Sequence, residues 1–274
     1  MEHTGTYGLL ILAWLSQIGV DFCVEPAMQI KRSIGLTRGK NDRVDARRIA
    51  DYACTNRTKL NQFLLPSQLL LQIKQLLTYR DQQTKIKVSL KNSLKNHNQY
   101  EDILGTNDIS IEIQGQIFEC ESRINYADKR IKDLIKSDAD LRRNYDLTMS
   151  VKGIGPVIAA FMLVTTNNFT SFENGRKYAC YCGIAPFDNA SGKYRGKTKV
   201  SHLANKRLKG LLSSAAIIAY KWDPEIKRYY QRKTKQGKHH TSVMNAVKCK
   251  LVNRVFAVVK RQTPFVNIYR EKVA

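Results

Sequence analysis

The sequence predicts an α/β region followed by an α region: a short α/β domain over residues 1–65, a long helical connector over 66–146 and a helical C-terminal domain over 147–274. Three observations predict this. Helix-like and strand-like apolar patterns alternate before Pro66. Two extended runs then repeat apolar residues at steps of four and three. From about residue 147 onward the periodicity is helical and the composition strongly basic.

In the first region Thr4 is placed to cap a helix whose apolar face includes Leu9, Leu12, Ala13 and Leu15, with Gly19 ending it. Val20, Phe22 and Val24 alternate as in a strand. Pro26 opens a short helix, where its missing N–H costs nothing. A further helix is expected from Asp42 to Ala53. Alternation of this kind implies an open, mostly parallel sheet. Beyond Pro66 one helix carries Leu69, Ile73, Leu76, Gln83, Ile86, Leu90 and Leu94 on a stripe. A second carries Ile113, Ile117, Cys120, Ile124, Ala127, Ile131 and Leu134. That spacing marks a coiled-coil seam, and Gly105-Thr106-Asn107-Asp108 reads as the reversal of an antiparallel pair. The pair is either a self-association device or a plain helical hairpin. Further on, Gly153-Ile154-Gly155-Pro156 lies between Ser150 and an apolar helix, Val157–Val164. A loop over Ala185–Ser201 is rich in Gly, Lys and Ser. Helices are expected over Leu203–Tyr220 and Thr241–Arg261, the latter with Lys248, Lys250, Arg254 and Lys260 toward solvent.

With 46 lysines and arginines against 23 acids, the net charge is +23. Such a chain binds polyanions, nucleic acid first among them. The longest apolar run, Leu9 to Leu15, is too short to cross a bilayer. No signal-peptide flank precedes it, so no membrane is expected and the site of action reads as cytoplasmic. The six cysteines are scattered without metal-ligand spacing and read as reduced thiols.

Four stretches could carry chemistry. Asp42 and Asp45, three apart, share one face of a helix and could hold a divalent cation. The alternative is that Asn41 or Asp42 caps the helix and Asp45 favours its positive end. Glu2 is the other acid near a strand end in this half. The Gly153–Pro156 segment fits a helix-hairpin-helix turn in which Gly153, Gly155 and the adjoining Lys152 contact phosphate; otherwise it is a packing turn. Ser191 sits in a loop with Lys193, Arg195, Lys197 and Lys199, and no histidine base is near it in sequence. Lys227, Arg228, Arg232, Lys233, Lys235 and Lys238, interleaved with Tyr229 and Tyr230, form a tract suited to nucleic acid.

At these residues the chain resembles bacterial insertion-sequence transposases that join an N-terminal DEDD, RuvC/RNase H-like α/β domain to a C-terminal serine domain, the bridge-RNA-guided recombinases. Glu2-His3-Thr4-Gly5-Thr6-Tyr7 looks like the family's Glu-x-Thr-Gly-x-Tyr. Lys40 to Ala46 looks like its Lys-x-Asp-x-x-Asp-Ala. Gly183-Ile184-Ala185-Pro186 through Ser191-Gly192, then Lys206-Arg207, looks like the serine-domain signature. The resemblance implies Glu2, Asp42 and Asp45 as Mg2+ ligands at a composite site and Ser191 as a nucleophile forming a phosphoserine link to DNA. It also implies a guide RNA, coiled coils that pair subunits into a homo-oligomer, and nucleic-acid contact by Lys206 and Arg207. The family's first acid lies on a strand upstream of the glutamate, whereas this sequence opens at Met1-Glu2. An incomplete RuvC-like domain is therefore expected, from an N-terminally truncated copy or a misplaced start codon, with weak or absent catalysis.

Overall fold

The computed structural model describes residues 1–5, 7–35, 41–100, 103, 105, 108–201 and 204–266. Thr6, Lys40, the Thr106-Asn107 reversal and Leu203 lie outside the described residues, as do the side chains of Lys197 and Lys199. The chain divides into two compact units, Met1–Ser67 and Gln68–Ala274.

The first unit holds helices α1 (Leu9–Gln17), α2 (Ala27–Ser33) and α3 (Asp42–Asn56). Thr4 does not cap α1; the helix starts after Gly8, with no side-chain cap. Gly19 ends it at φ +69, its N–H and that of Val20 closing onto Ser16 and Leu15. Among the described residues the expected parallel sheet is reduced to a rudiment. Residues 1–3 run parallel to 23–25, with His3 N–H donating to the Glu25 carbonyl at 2.9 Å and Glu25 N–H to that of Met1 at 2.9 Å. On the other side of that segment, Phe63 N–H donates to the Phe22 carbonyl at 2.8 Å. Each pairing is too short for a ladder to form, so the alternation at Val20, Phe22 and Val24 yields extended chain rather than a strand.

The second unit begins with α4 (Gln68–Gln99) and α5 (Asp108–Lys136). They are antiparallel: Arg80 forks onto Asp128 at 2.6 and 3.2 Å, Lys91 meets Glu121 at 3.5 Å, and Asn98 meets Ser110 at 3.3 Å. The buried stripe of α5 is Ile113, Ile117, Cys120, Ile124, Ala127, Ile131 and Ile135. It departs from the sequence reading at its two ends, where Ser110 is also buried and Ile135 replaces Leu134. On α4 the buried positions are Leu70, Ile73, Leu77 and Gln83, and Ile86 is exposed. The Gln83 Oε1 is buried without a partner.

The hairpin's base is continuous with the rest of the unit. Leu70, Ile73, Leu77, Ile131 and Ile135 form one cluster with Leu141, Ala160 and Leu163. Those last residues belong to α6 (Ala139–Met149, capped by Asp138) and α7 (Pro156–Thr165). Then come α8 (Gly175–Tyr181), a hairpin of β1 (Pro186–Ser191) and β2 (Tyr194–Val200), α9 (Lys206–Trp222), α10 (Pro224–Lys235) and α11 (His240–Arg261). Two expectations change here. The Ala185–Ser201 loop is an antiparallel β-hairpin. The helix expected from Leu203 starts at Lys206, because the Asn205 side chain takes the Leu208 N–H and fixes the cap.

Helices α6 to α11 enclose the main core, which includes Val151, Tyr178, Leu208, Leu212, Ile226 and Val247. The α9–α10 corner is set by Asp223, which is 1% exposed. Its carboxylate caps α10 through Glu225 N–H and Ile226 N–H and takes Arg254 at 2.6 Å. Arg254 also reaches Glu225 at 2.5 Å and stacks over Phe265. It is therefore not solvent-facing as its position on α11 suggests: the partner lies 31 residues away, where local periodicity has no view. Asp223→Ala strands a buried guanidinium and removes a helix cap, and should cost about 3–5 kcal/mol in urea unfolding. Glu225→Ala, at the exposed end of the same network, should cost less than about 1 kcal/mol.

Candidate nucleic-acid interface

The serine expected as a nucleophile stands at the end of β1, paired with Tyr194 across a two-residue turn. Gly192 opens that turn at φ +56, the left-handed backbone such tight hairpins require. Ser191 is exposed, as are Lys193, Tyr194 and Arg195. Side chains alternate across a strand, so Ser191 shares a face with Tyr194, while Ala190 and Arg195 occupy the opposite face. The basic residues of β2 thus do not all surround the serine.

The root of this hairpin is held firmly. Helix α8 ends in a Schellman turn: Gly183 N–H bonds to the Cys180 carbonyl at 2.9 Å and Ile184 N–H to that of Ala179 at 3.0 Å. Gly183 lies at φ +64, and a Cβ there would fall 2.2 Å from that of Ala204. From α11, Asn245 Nδ2 donates to the Ile184 carbonyl at 2.5 Å and the Cys249 thiol to the same oxygen at 3.3 Å. From the cap of α9, Asn205 N–H bonds to the Tyr181 carbonyl at 3.1 Å. Cys182 is buried beneath, and desolvation pushes its thiol up to about 12. Burial raises Cys249 as well. These thiols are packing groups, not nucleophiles.

The glycine turn between α6 and α7 packs on α9. Gly153 has φ +97, and a Cβ on it would stand 2.6 Å from the Ala215 carbonyl oxygen. Lys152 is exposed beside it, and nothing lies within 4 Å of the Cβ position of Gly155. Of the signature pair on α9, Lys206 is exposed, whereas Arg207 forms an ion pair with Asp81 of α4 and lies over the Phe161 ring. On α10, Tyr229 is flanked by Arg232 at 5.8 Å and Lys250 at 4.6 Å from its centroid. Lys233 reaches the Gln236 side chain at 3.0 Å. Across residues 175–266 there are 21 lysines and arginines and three acids, Asp188, Asp223 and Glu225. Asp223 and Glu225 are both committed to Arg254. This surface has little internal means of neutralising its charge.

In the first unit Asn41 caps α3 by accepting from Arg43 N–H at 2.9 Å, which settles the choice between Asn41 and Asp42. Asp42 and Asp45 occupy the first turn, and Asp45 pairs with Arg48 at 3.0 Å. Glu2 borders an open groove of about 720 Å3 that also touches Tyr7, Ile11, Ala46 and Ile49. Among the described residues no three His, Cys, Asp or Glu side chains are grouped to hold a metal ion. Glu2, Asp42 and Asp45 are thus not drawn into one such group. No described helix is long and apolar enough to cross a membrane.

Comparison with known proteins finds two family models in succession. One, a transposase model of the IS110 DEDD type, matches residues 1–99, and the other, "Transposase IS116/IS110/IS902 family", matches residues 145–231. The chain is 24% identical over 146 residues to the insertion element IS900 42 kDa protein of Mycobacterium paratuberculosis, covering 53% of this chain and 36% of that protein. It is 26% identical over 144 residues to a pilin gene-inverting protein of Moraxella bovis, covering 52% and 45%. It is 30% identical over 114 residues to the insertion element IS110 43.6 kDa protein of Streptomyces coelicolor, covering 42% and 28%. The matched stretches thus span less than half the length of each of these relatives.

If the hairpin root is as closely packed as these contacts indicate, Gly183→Ala pays both a left-handed backbone and a steric overlap. It should lose roughly 2–5 kcal/mol of stability. Gly192→Ala, with φ +56 but open space around it, should lose only about 1 kcal/mol. Equal losses in the two variants by thermal unfolding would contradict the packed root.

Proposed function

From a chain that belongs to the IS110/IS116/IS902 transposases by both of its matched domains, we propose a DNA transposase or recombinase of an insertion sequence. The observation that carries the proposal is the order of those two domains along a chain whose C-terminal half is overwhelmingly basic. In this reading the second unit grips DNA and presents Ser191 to a phosphodiester. The serine Oγ bonds to phosphorus as the bond from phosphorus to a sugar oxygen breaks. The departing oxygen takes up a proton and the serine gives one up. Rejoining reverses these changes with a different sugar hydroxyl.

Exposure of Ser191 at a two-residue turn supports access to a duplex, and Lys193 beside it supplies charge for the phosphate. Lys152, Gly153, Gly155, Arg195, Lys197, Lys199, Lys206, Arg232 and Lys233 are the further contacts we assign to nucleic acid. Arg207, partly exposed beside Asp81, is assigned there too with the donors that its ion pair leaves over. For the first unit we retain Glu2, Asp42 and Asp45 as the acids this chain contributes toward Mg2+. A guide RNA as second ligand and a homo-oligomer formed through α4 and α5 complete the proposal. Exposed Ile111, Phe118 and Tyr126 on α5 support the self-association. The lack of a grouped metal site among the described residues favours one second reading, a catalytically inactive protein that binds DNA or RNA without cutting it.

Covalent trapping separates the readings. The full chain is incubated with element-end DNA, Mg2+ and guide RNA, then resolved under denaturing conditions. A serine recombinase yields a protein–DNA adduct that maps to Ser191 by mass spectrometry and is lost in Ser191→Ala, while DNA binding persists. Binding without any adduct supports the inactive reading. An adduct that survives Ser191→Ala rejects this serine.

A further inference from the structure

Two lysines that none of these assignments includes converge at the foot of the hairpin. Lys209 lies one turn along α9 from Asn205, its N–H bonded to the Asn205 carbonyl at 3.0 Å. Asn205 in turn holds Tyr181, two residues before Gly183. Lys248 lies on α11 between Asn245 and Cys249, the two residues that grip the Ile184 carbonyl. The contacts that root the hairpin therefore bring the two helix turns that carry these lysines against the same short segment, residues 181–184. Both lysines are half-buried.

Their neighbours are already engaged. Arg207 is on Asp81, Lys250 on the Tyr229 ring and Arg254 on Asp223 and Glu225. Lys209 and Lys248 have no carboxylate partner among the described residues, and the described acids of this segment are spoken for. Burial first, and then the Lys209 charge, push the Lys248 ammonium below its usual range. Two like charges held together on rigid helices are relieved by an anion.

We propose that Lys209 and Lys248 form a phosphate-binding pair that grips the backbone of duplex DNA beside the hairpin. The six residues of β1 reach about 17 Å from this foot to Ser191, roughly five base pairs of duplex rise. The pair thus acts on phosphates flanking the one that Ser191 faces and fixes the strand relative to the hairpin. This rests on the DNA-acting reading given above.

The test uses the full chain and a short duplex over a series of salt concentrations. Lys209→Gln and Lys248→Gln should each lower the slope of log affinity against log salt by about 0.9, and the double variant by about twice that. Lys95→Gln, an exposed position on α4 outside every assigned contact, should leave the slope unchanged. A wild-type chain that binds duplex while both lysine variants keep its slope overturns the pair alone. A wild-type chain with no salt-dependent binding overturns the DNA-acting reading and the pair with it. Should a variant fail to fold, amine acetylation of the unmodified chain decides: duplex should protect Lys209 and Lys248 more than Lys95 on α4. Equal modification with and without duplex, or protection by single-stranded RNA alone, overturns the proposal.

Discussion

The Ile184 carbonyl oxygen is the point on which the second unit turns. It ends the Schellman turn of α8, begins the approach to β1 and accepts from two side chains of α11. An isolated two-stranded hairpin is marginal in water, and this one is exposed along most of its length. Its direction is set at the root by a left-handed glycine, a buried carbonyl with two donors and the capped start of α9. Ser191, at the end of β1, inherits its position from those few bonds.

Behind that root the unit is built to resist its own charge. The core of α6 to α11 is closely packed and apolar, with Val247, Leu251 and Val255 inaccessible to solvent. Three of its acids are placed where folding needs them. Asp223 fixes a corner, Glu225 completes Arg254, and Asp81 joins α4 to α9 through Arg207. The net charge of +23 nevertheless remains, with Lys193, Arg195 and Lys206 among its exposed carriers, which raises the electrostatic energy of the free chain and favours a polyanion. Folding and surface charge are thus carried by different residues of the same helices.

Much of this was legible in the sequence. The 4-3 stripe of α5 predicts its buried face almost residue by residue, because one hairpin partner defines that face. The reading slips at Leu134, where α6 and α7 join the contact and the core side turns to Ile135. Asn205 lay within a helix predicted to start at Leu203, and its capping side chain sets the start instead. The β-hairpin was hidden by composition: glycine, lysine and serine resemble a loop, although Gly192-Lys193 between Ser191 and Tyr194 carries the spacing of a tight turn. The strand expected at Val20–Val24 failed for the opposite reason. Its alternation is real, but strand character depends on neighbours, and the described residues supply three bonds on one side and one on the other. Glu2, Asp42 and Asp45 were legible as acids, while their grouping was a tertiary property that no spacing could give.

Native-state hydrogen exchange tests the central claim most directly, because it reads the root and the tip of the hairpin separately. The Gly183 and Ile184 amides should open only with global unfolding, while the Ser191 and Tyr194 amides exchange through local opening at far lower free energy. A root that exchanges as fast as the tip would contradict it.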